Sequence, residues 1–454
     1  MNDSKASVAT LEPQIDRWRD YLRRRQTVHA VDVVELEDHL REIIANLIDG
    51  GLAPDEAFLV AVKRLGAIDA LSREFAREHS ERLWKQLIAL PGSTIPQRLR
   101  HEPLVALGLA VAAGVLIKVP ALFGLDLDAD GGFYARNAAL FILPLLTAYF
   151  AWKRDLSLKA LRLPLAMFLG AALAANLPSF VPGGTTEPLV ALHLPVALWL
   201  AVGIAYAGTR WREVAGRMDF VRFSGELFIY FVLIALGGGV LLGTSAGIFT
   251  SIGVDIEPFM EQWAPSLVLG AIMVAAWLVE AKQSVIENMA PVLTTLFTPL
   301  FTIALLLFLG TAAWTGRGIA IERDMLLLFD LLLLLVVALL LYTFSARDPQ
   351  RRIGLFDRAQ LALILAALAV DALALSAMTL RISGMGITPN RVVALGLNAI
   401  LLVNLAGAAV LQVRFLSGGA PFARLERWQT DFLPVYGGWA AFVAVGLPAL
   451  FSYR

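Results

Sequence analysis

Beyond about Pro103 the chain alternates between long apolar segments and short polar breaks. Each segment runs to about 20 residues, the length a helix needs to cross the hydrocarbon of a bilayer. The pattern predicts spans at Pro103–Phe123, Ala135–Trp152, Leu163–Val181, Pro188–Gly208, Gly225–Phe249 and Trp263–Ala281. It continues with Pro291–Trp314, Met325–Phe344, Ala359–Leu380, Val392–Val413 and Leu433–Phe451, making eleven, or ten to twelve if the segment Phe415–Phe432 dips into the membrane. The expected fold is all-α: a polytopic membrane helix bundle in residues 103–454, a linker at 91–102, and a small helical domain in residues 1–90.

That N-terminal stretch reads differently. Between Leu11 and Trp84 the pattern predicts about four short helices. In the second, Val33, Leu36, Leu40, Ile43 and Leu47 recur at three- and four-residue spacing, an apolar stripe that needs partners. Gly50-Gly51 closes this helix, and Pro54 with Asp55 and Glu56 opens the next, which Gly66 ends. A fourth helix is expected through Leu71, Phe75 and on to Leu87. The run Glu35-Leu36-Glu37-Asp38-His39-Leu40-Arg41-Glu42, followed by Gly51-Leu52, Glu56-Ala57-Phe58, Lys63-Arg64-Leu65-Gly66 and Glu74-Phe75-Ala76, resembles the helical permease prefix domain. That domain is similar to the alpha-helical HAAS signalling module of bacterial membrane proteins. The resemblance implies a cytoplasmic regulatory or docking module without enzymatic activity. Glu35 lies one turn before His39, but no second His or Cys stands at ligand spacing, so a solvated polar face is the simpler reading.

Composition agrees with a membrane protein: 58% of the 454 residues are hydrophobic, 17% are charged, and mean hydropathy is +0.68. Formal net charge is zero, which gives no case for nucleic acid, and the absence of cysteine excludes disulfides, thiolate metal sites and cysteine nucleophiles. The first thirty residues are charged throughout and contain no apolar core of a cleavable signal peptide. No GxxxxGK[ST] loop, GxSxG elbow or His cluster is present, so no cofactor or metal is expected.

Charge distribution orients the spans. Loops after the second, fourth, sixth, eighth and tenth spans hold sixteen Lys and Arg, whereas the opposite loops hold four, Arg317, Arg323, Arg381 and Arg391. By the positive-inside rule the basic loops and the N-terminal domain are cytoplasmic, and an odd span count leaves Arg454 outside. Trp152, Trp211, Trp263, Trp314 and Trp428 fall at span ends, where interface-anchoring aromatics belong.

The chemistry-bearing residues inside spans are few. Lys118, Asp330 and Asp371 are expected deep in the outer half, and a charge there costs at least about 2.5–3.5 kcal/mol unless it meets a partner or water. Pairing of Lys118 with Asp330 or Asp371 is therefore expected, either to fix packing or to line a proton, ion or substrate path. Glu226 and Glu280 are expected near the cytoplasmic boundary, within reach of water. Asn137, Asn176, Asn398, Asn404 and Gln412 suit hydrogen bonds between helices. Gly239, Gly243 and Gly247 form small-xxx-small steps that predict close helix packing, with broken-helix ion coordination as the alternative.

The loop Arg381–Arg391 carries two arginines that can pair with an outer carboxylate or contact an anion. With Ala394-Leu395-Gly396-Leu397-Asn398 and Pro421-Phe422-Ala423-Arg424-Leu425-Glu426-Arg427-Trp428, it resembles the bacterial membrane-protein family known as domain of unknown function 4153. The resemblance implies a multi-span inner-membrane protein and carries no catalytic residues. Three activities remain open at this level: a regulatory or signal-sensing protein whose N-terminal domain docks a cytoplasmic partner, a secondary transporter using the intramembrane charges, and a membrane enzyme acting on lipid-linked substrates.

Overall fold

A computed structural model describes residues 11–23, 30–66, 97–281, 289–315, 323–347 and 352–454, which are all helix, turn or loop. They separate into two compact units, Met1–Arg100 and His101–Arg454.

In the first unit, α1 (Glu12–Arg23), α2 (Ala30–Asp49) and α3 (Pro54–Gly66) bury one apolar face each. Leu11, Ile15 and Trp18 meet Leu40, Ile44 and Leu47 of α2 and Ala57, Phe58, Ala61 and Val62 of α3. The buried stripe of α2 thus turns onto Ile44, with the expected Ile43 only half buried beside it. Gly51 adopts φ +95°, the left-handed conformation that lets the chain reverse, and the Leu52 N–H donates to the Leu47 carbonyl at 3.1 Å. The expected fourth helix and the side chain of His39 lie outside the described residues.

The exterior of this unit is clamped by Arg41. Its guanidinium donates to both Glu12 oxygens at 2.7 and 2.8 Å and to Glu37 Oε1 at 2.9 Å, tying α1 to α2. The bidentate bond to Arg41 holds the Glu12 carboxyl below its usual value. A carboxyl depressed on folding contributes stability above its unfolded pKa and loses that contribution as pH falls through the folded one. Hydrogen-exchange protection of residues 40–62 in the full-length protein should therefore weaken as pH drops below 4.5. Glu12→Gln should remove that part of the pH dependence, at a stability change of about 1 kcal/mol or less at neutral pH.

The second unit is a helical membrane bundle of eleven helices long and apolar enough to span a bilayer. They are α4 (Gln97–Leu116), α5 (Gly131–Lys153), α6 (Leu158–Asn176), α7 (Thr186–Ala207), α8 (Val214–Ser251), α9 (Glu257–Ala281) and α10 (Met289–Thr315). Then come α11 (Arg323–Ala346), α12 (Leu355–Met385), α13 (Pro389–Leu416) and α14 (Ala423–Ala441). A π turn at Phe442–Gly446 and the short α15 (Leu447–Leu450) continue the last crossing. Three boundaries differ from the sequence expectation. α8 begins eleven residues before Gly225 and absorbs Arg217 and Arg222. α12 runs through Arg381, so that arginine is helical, and α14 opens at Ala423, so Ala423–Phe432 belongs to the eleventh crossing. In each case polar side chains extend a helix past the apolar window, because helix continuity costs nothing once the end lies beyond hydrocarbon.

Two cores organise this unit. One gathers residues of α4 to α9, centred on Leu146, Tyr149, Phe150, Ala201 and Phe223; the other gathers α10 to α14, centred on Leu333, Val336, Leu363, Ala367, Leu401 and Leu405. The C-terminus folds back on the α6–α7 connection, where the Thr186 N–H donates to the Arg454 carbonyl at 3.0 Å and the Val181 N–H to that of Tyr453 at 2.9 Å.

Close helix approach occurs at glycines other than those expected. A methyl group would find open space at Gly239, Gly243 and Gly247, because α8 leaves the bundle beyond Ile234 and exposes Val240 and Leu241 to lipid. The tightest approaches are instead Gly396 against Trp439, Gly407 against Trp428 and Gly437 against Leu200, all involving α14 or α13, and Gly225 against Tyr342 and Gly203 against Phe220 are also close; each would collide with an added Cβ. Gly407→Ala should therefore lower the thermal stability of the detergent-solubilised protein by about 1–3 kcal/mol through overpacking. Gly243→Ala should leave it unchanged or raise it by up to about 1 kcal/mol through helix propensity.

Candidate functional site

The site is a polar layer inside the α11–α13 core. Asp330 on α11, Asp371 on α12 and Asn398 on α13 are each one helical turn from a member of the apolar cluster Leu326, Ala374, Ala377, Met378 and Ala394. On the other side they are one turn from Leu333, Ala367 and Leu401 of the larger core. The antiparallel run of the three helices thus brings the polar residues to one level, sealed above and below by aliphatic side chains. Asn398 Nδ2 donates to Asp330 Oδ1 at 2.7 Å and to its own helix at the Ala394 carbonyl. Asp371 lies within electrostatic range of Asp330 and of Tyr436 on α14.

Asp371 is 0% exposed and neither of its carboxylate oxygens has a hydrogen-bond partner among the described residues; the same holds for Asn398 Oδ1 and the Tyr436 hydroxyl. Asp330 is 9% exposed and keeps contact with the surface. Buried polar atoms are normally paired, since leaving one unsatisfied costs about 1–3 kcal/mol and more for a charge. Four such atoms around one level mark it as a place where something other than packing is accommodated.

Polar residues continue from this layer toward the ends of the bundle carrying the basic loops. Asn404 Nδ2 donates to Gln429 Oε1 at 3.3 Å, and the Trp428 indole N–H donates to the Asn404 carbonyl at 3.0 Å. Further along, Gln412 Nε2 donates to the Asp357 carbonyl at 2.9 Å. Asp357 accepts from Arg347 Nε at 3.0 Å and from the Gly354 N–H at 2.8 Å. The Arg347 guanidinium lies against both the Phe415 and Phe422 rings, 4.8 and 4.7 Å from their centroids. This buried pair plugs the basic end of the polar line.

Other residues singled out in the sequence are placed elsewhere. Lys118 does not pair with Asp330 or Asp371. It sits just past the end of α4, where its ammonium donates to the Gln262 carbonyl and lies 5.0 Å from the Trp263 ring, at the rim of a cavity of about 310 Å³ lined also by Asp126, Asp128 and Glu261. The lysine was expected mid-span because the apolar run continues to Phe123, but the α-helix stops at Leu116 and a 3-10 turn, Val119–Phe123, follows. Arg391 closes the end of α12: its Nη1 donates to the Met385 and Gly386 carbonyls at 2.8 and 2.6 Å. Arg381 lies on the last turns of α12, half buried.

Glu280 does not reach water. It is buried at the tip of α9 against Lys153 (3.1 Å) and Arg154 (3.5 Å), and Lys153 also binds Glu102 of α4 at 2.6 Å. Glu226 is buried as well. All five in-span amides join helices, including the reciprocal Asn137–Asn176 pair at 2.8 and 2.9 Å between α5 and α6. Sequence reasoning passed over Gln360, Gln429 and Tyr436, because a single amide or phenol in an apolar or amphipathic run gives no periodic signal. It also passed over the pairs Arg136–Glu187 and Arg347–Asp357, whose members stand at predicted span ends.

Among the described residues no group of three or more His, Asp or Glu could hold a metal ion in the manner of a multivalent metal centre. Searches against family models, curated proteins and solved structures give no match to this chain. The site is therefore interpreted from its own geometry.

Breaking the plug leaves a buried charge without its partner, which typically costs about 3–5 kcal/mol. Arg347→Ala should lower the unfolding temperature clearly more than the double variant Arg347→Met/Asp357→Leu, in which both charges are removed; a thermal melt of the solubilised variants checks this.

Proposed function

We propose that this chain is a cation-coupled secondary carrier of a bacterial inner membrane, with α11 to α14 lining the path and Asp330 and Asp371 as its coupling carboxylates. The observation that carries the reading is Asp371: fully buried, with both oxygens unpartnered, beside a second carboxylate and in line with polar residues that lead to a sealed end. Ionisable residues held inside a membrane bundle belong to ion or proton pathways when no packing partner accounts for them. Among the described residues Asp357 has such a partner and Asp371 does not.

The basic loops support a cytoplasmic plug and an outward-reaching Asp330, with the N-terminal unit inside the cell and Arg454 outside. The resemblances to the permease prefix domain and to domain of unknown function 4153 are compatible with this arrangement. A regulatory role attaches to the N-terminal unit, favoured by its own closed core: it docks a cytoplasmic protein that controls the carrier. The enzyme reading has less behind it, since one nitrogen of the Arg391 guanidinium is already engaged by backbone carbonyls.

Solid-supported-membrane recordings on full-length protein in liposomes test the carrier. A jump in pH or in monovalent salt should evoke a transient current that Asp371→Asn abolishes and Lys118→Ala retains. An identical current in Asp371→Asn would overturn the reading.

A further inference from the structure

The structure points to the occupant of the buried layer: we infer that Asp371 binds a monovalent metal cation, of which sodium is the type, with Asn398 Oδ1 and the Tyr436 hydroxyl as its neutral oxygen ligands and Asp330 as the group that passes it from the surface. The inference rests on the carrier reading and names the coupling ion of that same site.

Charge comes first. Two carboxylates share one apolar-walled level, and no Lys or Arg among the described residues forms an ion pair with either. Two like charges on one such level repel at the low effective dielectric constant of a bundle interior, and desolvation adds to that. Asp330 has relief: it accepts from the Asn398 amide and reaches the surface. Asp371 has neither, so the positive charge that settles this level belongs on Asp371.

Ligand count comes second. Among the buried atoms lacking partners, those of the residues in electrostatic or hydrogen-bond relation to this acid pair are Asp371 Oδ1 and Oδ2, Asn398 Oδ1 and the Tyr436 oxygen, and Asn398 directs its donor to Asp330, leaving its carbonyl as the free end. These are acceptors, with a single hydroxyl donor among them. One proton on Asp371 would supply one further donor and leave acceptors unmatched. A metal cation satisfies several oxygens at once, as hard cations do with carboxylate and carbonyl groups. A divalent ion is disfavoured: calcium takes 6–8 oxygen ligands and magnesium keeps several waters. The described residues offer no third carboxylate for such an ion.

The test is saturable binding of ²²Na⁺ to purified full-length protein, with choline chloride holding ionic strength constant. Wild type and Lys118→Ala should bind, unlabelled NaCl should displace the label, and Asp371→Asn should weaken binding by at least about 10-fold. Asn398→Ala should weaken it as well, while Asp371→Asn, which removes a buried charge isosterically, keeps the thermal stability of the wild type or exceeds it, so that lost binding is not lost folding. Absence of saturable ²²Na⁺ binding, or binding unchanged in Asp371→Asn, overturns the inference. If sodium binding fails while a pH jump still evokes an Asp371-dependent current, the cation is a proton and the carrier reading stands; if neither depends on Asp371, both fall.

Discussion

A carboxylate placed where neither water nor a hydrogen-bond donor reaches it must be compensated by something, and in this protein that constraint falls on Asp371. The α11–α13 core is arranged around it. The aliphatic layers containing Leu326, Ala374 and Ala394 on one side and Leu333, Ala367 and Leu401 on the other wall a level that holds two acids and an amide. If Asp371 were structural, packing Leu or Ala there would serve the fold better, since replacing a buried charge with an apolar side chain is often neutral or stabilising. Its retention in a sealed layer is the physical argument for a binding role.

The remaining charges of the second unit behave differently. Glu102, Lys153, Arg154 and Glu280 form a chain of ion pairs that ties α4, α5 and α9, with the Tyr149 hydroxyl donating to Glu102 at 2.6 Å. Arg347 and Asp357 tie α12 to the end of α11, with the guanidinium against two aromatic rings. Both networks lie at helix ends, where the basic loops begin, and in both each carboxylate meets a cation. The contrast between these ion-paired carboxylates and Asp371, whose oxygens have no partner among the described residues, separates scaffold from site. Packing supports the division: α13 and α14 meet through Gly396 and Gly407, which lets the large rings of Trp439 and Trp428 lie flat against the helix carrying Asn398 and Asn404.

Much of this was legible in the sequence, for a definite reason. Span count and element type follow from hydrophobic runs about 20 residues long, a signal that tertiary context does not override in lipid. Asp330 and Asp371 were also legible, because a charge in such a run stands out by cost alone. What could not be read was partnership. Lys118 looked as deep as the aspartates, since the apolar run carries on past it; only the end of the α-helix at Leu116 reveals that the lysine is at a rim. Gly239, Gly243 and Gly247 had the spacing of a packing seam, yet spacing says nothing about whether another helix faces it. Tyr436 and Gln429 belong to a segment whose charges made its first half read as loop, and their roles depend on how α14 crosses α13.

The central claim is that Asp371 is ionised and neutralised by a metal cation within the bundle. Infrared difference spectroscopy of the full-length protein in lipid, exchanging sodium for choline, addresses it at the carboxyl group itself. The account predicts carboxylate stretching bands that shift on ion exchange and vanish from the difference spectrum of Asp371→Asn. A protonated carboxyl band assigned to Asp371 by that same variant, present in sodium and indifferent to the ion, would contradict it.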